Sequence, residues 1–193
     1  DYSSLKIGGE GKLVTVMTQK ELVEAVLYAK REGLSVHILG GGTNTYFGTS
    51  LHKLLIIEMA MKGISYREED EQVFITAHAG VVWDDLVQFT VEKNLWGIEN
   101  LSYIPGTVGA APVQNIGAYG AELKDTFVSL SALDIETLDL VEITKDACHF
   151  GYRDSLFKHE VGRYSIISVT LKLSKNGAPT LTYKPLDTLV GEE

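Results

Sequence analysis

The sequence predicts an α+β protein of two lobes, a small β-α-β-β lobe followed by a larger antiparallel sheet with covering helices. Three observations predict it. Before residue 60, one amphipathic helical pattern is set between short strand-like runs. Beyond residue 70, apolar residues alternate over strand lengths, and two such runs flank a turn-like tetrapeptide. The chain has 193 residues and is 45% apolar, enough to bury a sizeable core as one large domain or two closely packed subdomains.

The elements follow in order. Val14–Met17 reads as a short strand. Thr18 with Glu21 three residues on has the form of a capping box. It opens a helix to about Glu32 that places Leu22, Ala25, Val26 and Ala29 on one face. Gly33 supplies the left-handed stop. Ser35–Leu39 is a strand that runs into Gly40-Gly41-Gly42-Thr43-Asn44, and Lys53–Glu58 is a third. Gln72–His78 alternates as a half-buried strand does. After Gly80, Trp83–Lys93 reads as a helix with Leu86, Val87, Thr90 and Val91 inward. From Trp96 a long irregular stretch centres on Pro105–Gly120. Phe127–Ile135 and Leu140–Ile143 form the expected hairpin. Ser165–Leu173 is the last strand, setting Ile166, Ser168, Thr170 and Lys172 against Ile167, Val169, Leu171 and Leu173. The expected lobes are residues 1–60 and 61–175, with 176–193 a linker toward a further domain. Both ends read as trimmed, and a strand-like stretch begins almost at Asp1.

Composition excludes several classes of function. A net charge of -9 argues against a general nucleic-acid or anionic-membrane binder. Between Lys145 and Lys184, seven Lys/Arg face three acids. That segment is either a solvated mixed surface or a local anion site. Cys148 is the only cysteine, which rules out an intrachain disulfide and a Cys-rich metal site. Beside Ala147 and near Phe150 it reads as a buried structural thiol, and no metal is expected. No apolar run approaches the roughly 18 residues of a membrane span, and no signal peptide is visible, so a cytoplasmic setting is expected.

Two glycine-rich loops remain. A strand followed by side-chain-free backbone lets several N–H groups converge on an anion. Gly40–Asn44 nevertheless fits neither the dinucleotide fingerprint, which would need glycine where Thr45 stands, nor the P-loop pattern. Alone, it reads equally as a tight turn or a ligand loop, and Asn44 and Thr45 equally as turn residues. Pro105–Gly120 holds four glycines and three alanines, and a connection so long and uncharged rarely serves packing alone. Gln114 and Asn115 add neutral hydrogen-bonding groups. Neither loop contains Lys or Arg, so a diphosphate there would rely mostly on backbone N–H dipoles. Gly41 and Gly42 are the positions expected to tolerate no β-carbon.

Four motifs in order, Leu39–Asn44, Ala79-Gly80-Val81-Val82-Trp83, Pro105–Gly120 and Phe150-Gly151-Tyr152-Arg153-Asp154-Ser155, resemble the UDP-N-acetylenolpyruvoylglucosamine reductase family. The resemblance covers nearly the whole chain and implies the two-lobed FAD-binding fold, with non-covalent FAD between the lobes and NADPH as electron donor. It implies that Gly40, Gly41, Gly42, Thr43, Asn44 and Thr45 wrap the FAD diphosphate. Ile104, Pro105, Gly106 and Thr107 would run past the flavin and ribityl chain. Gln114, Asn115, Gly117, Ala118 and Gly120 would complete the isoalloxazine side, and Ile167 or a neighbour in the last strand would flank the cofactor.

The family reduces an enol-ether double bond in a nucleotide-sugar substrate of peptidoglycan synthesis. Charge developing toward the adjacent carboxylate calls for a fixed cation, and Arg153 matches the family's arginine in that role. A surface ion pair with Asp154 or Glu160 is the alternative. Tyr152 and Tyr183 match the substrate side, Tyr183 as a closing loop tyrosine or simply an exposed aromatic. His149 and His159 read as solvated or structural. The family's proton-donating serine and catalytic glutamate belong to a third, substrate-binding domain, and Ser155 is not that serine. A flavin-holding module without turnover and a flavin oxidase of the same fold are the competing readings.

Overall fold

A computed structural model describes residues 11–48, 51–181 and 183. The strand-like entry expected near Asp1, and residues 182 and 184–193 of the expected linker, lie outside the described residues.

The small lobe forms as its pattern dictates. β1 (Gly11–Val16) leads into α1 (Gln19–Arg31), then β2 (Ser35–Leu39) and β3 (Leu51–Met59). The capping box is present: the Glu21 backbone N–H donates to Thr18 Oγ1 at 3.2 Å and the Thr18 N–H to Glu21 Oε2 at 3.1 Å. Leu22, Ala25, Val26 and Ala29 are buried against Leu55 and Ile57. β3 lies between β1 and β2 and runs parallel to both. A parallel neighbour is reached only by carrying the chain back over the sheet, so the residues after Leu39 leave as a loop.

The second sheet contains β4 (Ile64–Glu69) and β5 (Gln72–His78). After it come α2 (Trp83–Glu92) and 3-10 turns at Glu99–Leu101 and Val108–Gln114. A two-residue hairpin of β6 (Gly117–Ala118) and β7 (Ala121–Glu122) precedes α3 (Leu123–Thr126). β8 (Phe127–Asp134), β9 (Leu140–Thr144), α4 (Leu156–His159) and β10 (Tyr164–Ser174) complete it. The order is β4-β5-β10-β8-β9, antiparallel throughout. β4 was not anticipated. It is an edge strand with five of six residues exposed, so it carries no apolar face to announce it.

The strand phase expected for β10 fails at one place. Between Ile166 and Ser168 the pairing with β8 skips a residue, leaving Ile167 as a bulge. A bulge reverses the alternation beyond it. Ile166 therefore shares the larger core with Val169 and Leu171, while Ile167 turns into the small lobe's core beside Met59 and Leu133. That second core crosses between the sheets, helped by Lys30 Nζ on the Glu136 carbonyl at 2.8 Å.

Nor does the chain leave the body at once after β10. Trp96 and Ser174 exchange backbone hydrogen bonds, and Asn100 Nδ2 donates to the Thr180 carbonyl at 2.8 Å.

Two outcomes are expected. A Cβ on Gly80 would stand 2.6 Å from the Met59 carbonyl oxygen and Ala60 carbonyl carbon. Gly80→Ala should therefore lower the urea unfolding free energy by about 2 kcal/mol. Burial pushes the Cys148 thiol up to about 12. It stays protonated at pH 8, so a thiol reagent should label it only after denaturation.

Candidate functional site

The Ala79–Trp83 motif exists to hold the second glycine loop. Gly109 N–H donates to the Ala79 carbonyl at 2.9 Å, Val108 N–H to Val81 at 2.9 Å, and Trp83 N–H to Gly106 at 3.0 Å. Trp83 is buried with Nε1 on the Leu101 carbonyl at 2.8 Å. A Cβ on Gly109 would stand 2.6 Å from Ala79 Cβ, so the two segments approach only because that side chain is missing.

The pinned loop meets the first glycine loop directly. A Cβ on Gly40 would come to 2.6 Å from Thr107 Oγ1 and 3.3 Å from Ala110 Cβ. Thr43 Oγ1 lies 3.5 Å from the Pro105 carbonyl. Gly42 has φ 64, where L side chains are strained. Gly41 differs from expectation: its Cβ would sit 3.4 Å from Gly106 Cα, an ordinary contact, so packing excludes a side chain at Gly40 instead.

Between the loops lies a cavity of about 280 Å³. It is lined by Gly40, Gly41, Gly42, Thr43, Asn44 and Thr45 on one side and by Ile104, Pro105, Gly106, Thr107 and Gln114 on the other. A second cavity of about 210 Å³ continues along β2 toward Phe157, Glu160, Tyr164 and Ile166. His37, Ile38, Gly40, Thr107, Ala110 and Val113 line both, so the two make one bent trough. Two polar groups on its walls carried no sequence signal. Lys158 reaches the first cavity from α4, and His37 stands at the junction, its ring edge-on to Phe47 at 5.8 Å. Thr107 Oγ1 is buried with no hydrogen-bond partner among the described residues.

Five expected cofactor residues line neither cavity. Asn115, 1% exposed, spends both polar atoms on structure: Nδ2 donates to the Gly151 carbonyl at 2.9 Å and Oδ1 accepts from Lys124 N–H at 3.0 Å. Gly117, Ala118 and Gly120 build the small β6–β7 hairpin and its turn. Ile167 is turned away by the bulge, and its neighbour Ile166 lines the trough.

Arg153 is exposed and holds φ 52, left-handed for a non-glycine residue. Its guanidinium donates to the Gly117 carbonyl at 3.0 Å and pairs with no carboxylate among the described residues. Asp154 is occupied by His159 at 2.8 Å, and Glu160 by Arg163 at 3.3 Å. Tyr183 packs edge-on to Tyr119 at 5.5 Å, which brings it to the same hairpin as Arg153. Tyr152 is 85% exposed. Ser155 is fully buried with its hydroxyl donated to the Val113 carbonyl at 2.6 Å, which gives it a structural post.

Comparison with known proteins adds the family. The FAD binding domain family matches residues 12–142. The chain belongs to that family. UDP-N-acetylenolpyruvoylglucosamine reductase of Pseudomonas aeruginosa is 44% identical over 194 residues, covering 100% of this chain and 57% of the relative. The Bdellovibrio bacteriovorus reductase is 42% identical, covering 89% of this chain and 52% of the relative. The chain thus spans about half the length of these relatives. Among solved structures, the Thermus caldophilus reductase superposes with TM-score 0.71 at 25% identity, over 99% of this chain and 64% of that one. A cholesterol oxidase superposes at 0.64 with 18% identity, over 88% of this chain and 36% of its own, a likeness of fold alone.

The residues present fit FAD. The trough is long and bent, its narrow wall is side-chain-free at Gly40–Gly42, and among the described residues an unpartnered hydroxyl faces Gly40 and no carboxylate lines the first cavity.

Burial holds the His37 imidazole below its usual value of 6.5. The unfolded chain then binds the extra proton first, so this stability is full above about 6.5 and is lost as pH falls below it. His37→Gln should show a shallower loss of stability between pH 7 and 5 in urea titrations.

Proposed function

We propose that this chain binds FAD without a covalent link and forms the FAD-binding part of a UDP-N-acetylenolpyruvoylglucosamine reductase. In this reading it works in the cytoplasm on a peptidoglycan precursor, with NADPH as donor. The observation that carries the reading is the meeting of two glycine loops at a first cavity with no carboxylate among its described lining residues, beside an orphaned Thr107 hydroxyl. When bound, FAD supplies two-electron transfer between the nicotinamide and the substrate's double bond. The chain's residues bind, orient and compensate charge.

Backbone N–H groups of Gly40–Thr45 take the diphosphate, and Ile104–Thr107 with Gln114 flank the flavin and ribityl chain. Thr107 Oγ1 regains a partner from the cofactor, which removes a desolvation cost of about 1–3 kcal/mol. Arg153 faces the substrate carboxylate. Anchored to the Gly117 carbonyl by one of its five donors, it keeps the rest of its planar fork for the charge that develops there. Asn115, Gly117, Ala118 and Gly120 serve by holding that anchor, while Tyr152 and Tyr183 border the nucleotide-sugar. The two lobes divide near residue 60. The oxidase reading has support from the fold likeness alone, and an arginine unpaired with any described carboxylate favours the reductase. A module that holds flavin without turnover shares every prediction about FAD.

The test is titration of the flavin-free chain with FAD, followed by acid precipitation. Saturable binding is expected, with all flavin in the supernatant. Flavin in the pellet would overturn the non-covalent reading and direct attention to His37. Gly40→Val should weaken FAD binding by about 2 kcal/mol or more with circular dichroism unchanged, and Gly41→Ala by clearly less. Equal affinity in wild type and Gly40→Val would remove the loop from the site.

A further inference from the structure

We infer that Lys158 is the cation that faces the diphosphate of the bound dinucleotide. The inference rests on the FAD reading above and adds the charge that neither glycine loop contains. The chain carries 26 Asp and Glu against 17 Lys and Arg. Even so, among the described residues the cavity between the glycine loops is lined by a lysine and by no carboxylate. A dianionic group placed between two neutral loops would be held by N–H dipoles alone, and one ammonium changes that balance.

Local packing determines where the ammonium goes. Ser155 is latched to the Val113 carbonyl at 2.6 Å, and Phe157 is buried with its ring 6.1 Å from that of Tyr164. With one neighbour latched and the next in the core, a single helical turn directs Lys158 to the trough side. Its Nζ donates to the Arg153 carbonyl at 2.5 Å. An ammonium has three protons, so two remain for phosphate oxygens. Among the described residues Lys158 forms no ion pair, and the neighbouring Asp154 carboxylate is taken by His159 at 2.8 Å. Because the same ammonium braces the left-handed turn at Arg153, it also ties the cofactor trough to the residue proposed to meet the substrate.

The experiment compares FAD, ADP and riboflavin binding by the chain and by Lys158→Met and Lys158→Arg, at rising sodium chloride. FAD and ADP carry the diphosphate, and riboflavin does not. Lys158→Met should weaken FAD and ADP about tenfold, the usual scale of a charge-assisted hydrogen bond. It should also flatten the salt dependence and leave riboflavin unchanged. Lys158→Arg should restore most of the loss. FAD affinity equal in wild type and Lys158→Met would overturn the inference while leaving the FAD reading intact. Riboflavin weakened as much as FAD would also overturn it, because the lysine would then be acting on the shape of the cleft. No FAD binding by the wild type would sink the parent reading itself.

Discussion

Segments that approach too closely to admit a β-carbon on one side are the constraint on which the trough depends. Gly80 lies on Met59 and Ala60, Gly109 on Ala79, and Gly40 on Thr107. The first contact joins the two lobes, the second fixes the long loop to the entrance of α2, and the third brings the loops together. Each is closer than a β-carbon allows, and the seam is zipped by hydrogen bonds worth about 1 kcal/mol apiece. Packed interiors do not stretch to admit a methyl group, so one extra carbon would part the surfaces that shape the site.

Charge is distributed to suit an anion in the trough. Glu160, which lines the second cavity, meets Arg163, and Arg163 also donates to Asp134, which accepts from the Glu136 and Thr137 N–H groups as well. Lys175 pairs with Glu68 at the far side of the sheet. Among the described residues, the first cavity is lined by glycine backbone, hydroxyl and amide groups and by the Lys158 ammonium. A chain with an acidic surface can therefore hold a dinucleotide, because binding answers to the local field and not to the net charge.

Strained backbone recurs on the segments between α2 and β10. Tyr103, Asn115, Tyr119, His149 and Arg153 all have positive φ, five of the eight such non-glycine residues described. Left-handed residues persist when their surroundings over-determine them. Here Asn115 bonds to Gly151, Gly151 bridges to Asp154, and Lys158 bonds to the Arg153 carbonyl. The arrangement holds an exposed arginine in one orientation, and pre-organisation of that kind is what a developing charge requires.

Local chemistry made much of this legible. The capping box of α1, the left-handed Gly33, the alternation of β5 and the glycine loops are encoded over a few residues each, so the α+β class and the two loops that line the first cavity could be read from the chain. Contacts between distant segments could not. The bulge at Ile167 arises where β10 must follow both β5 and β8, and it exchanged the trough position of Ile167 for Ile166. Asn115 looked like a ligand group because its spacing says nothing of Gly151, and β4 was silent because an edge strand buries no stripe. His37 and Lys158 stand 121 residues apart, and only the tertiary fold brings β2 and α4 to the walls of one trough. Sequence determines what a residue can do within its own turn or strand. Tertiary structure decides which of those capacities face each other, because burial and hydrogen bonding are settled by neighbours far away in the chain.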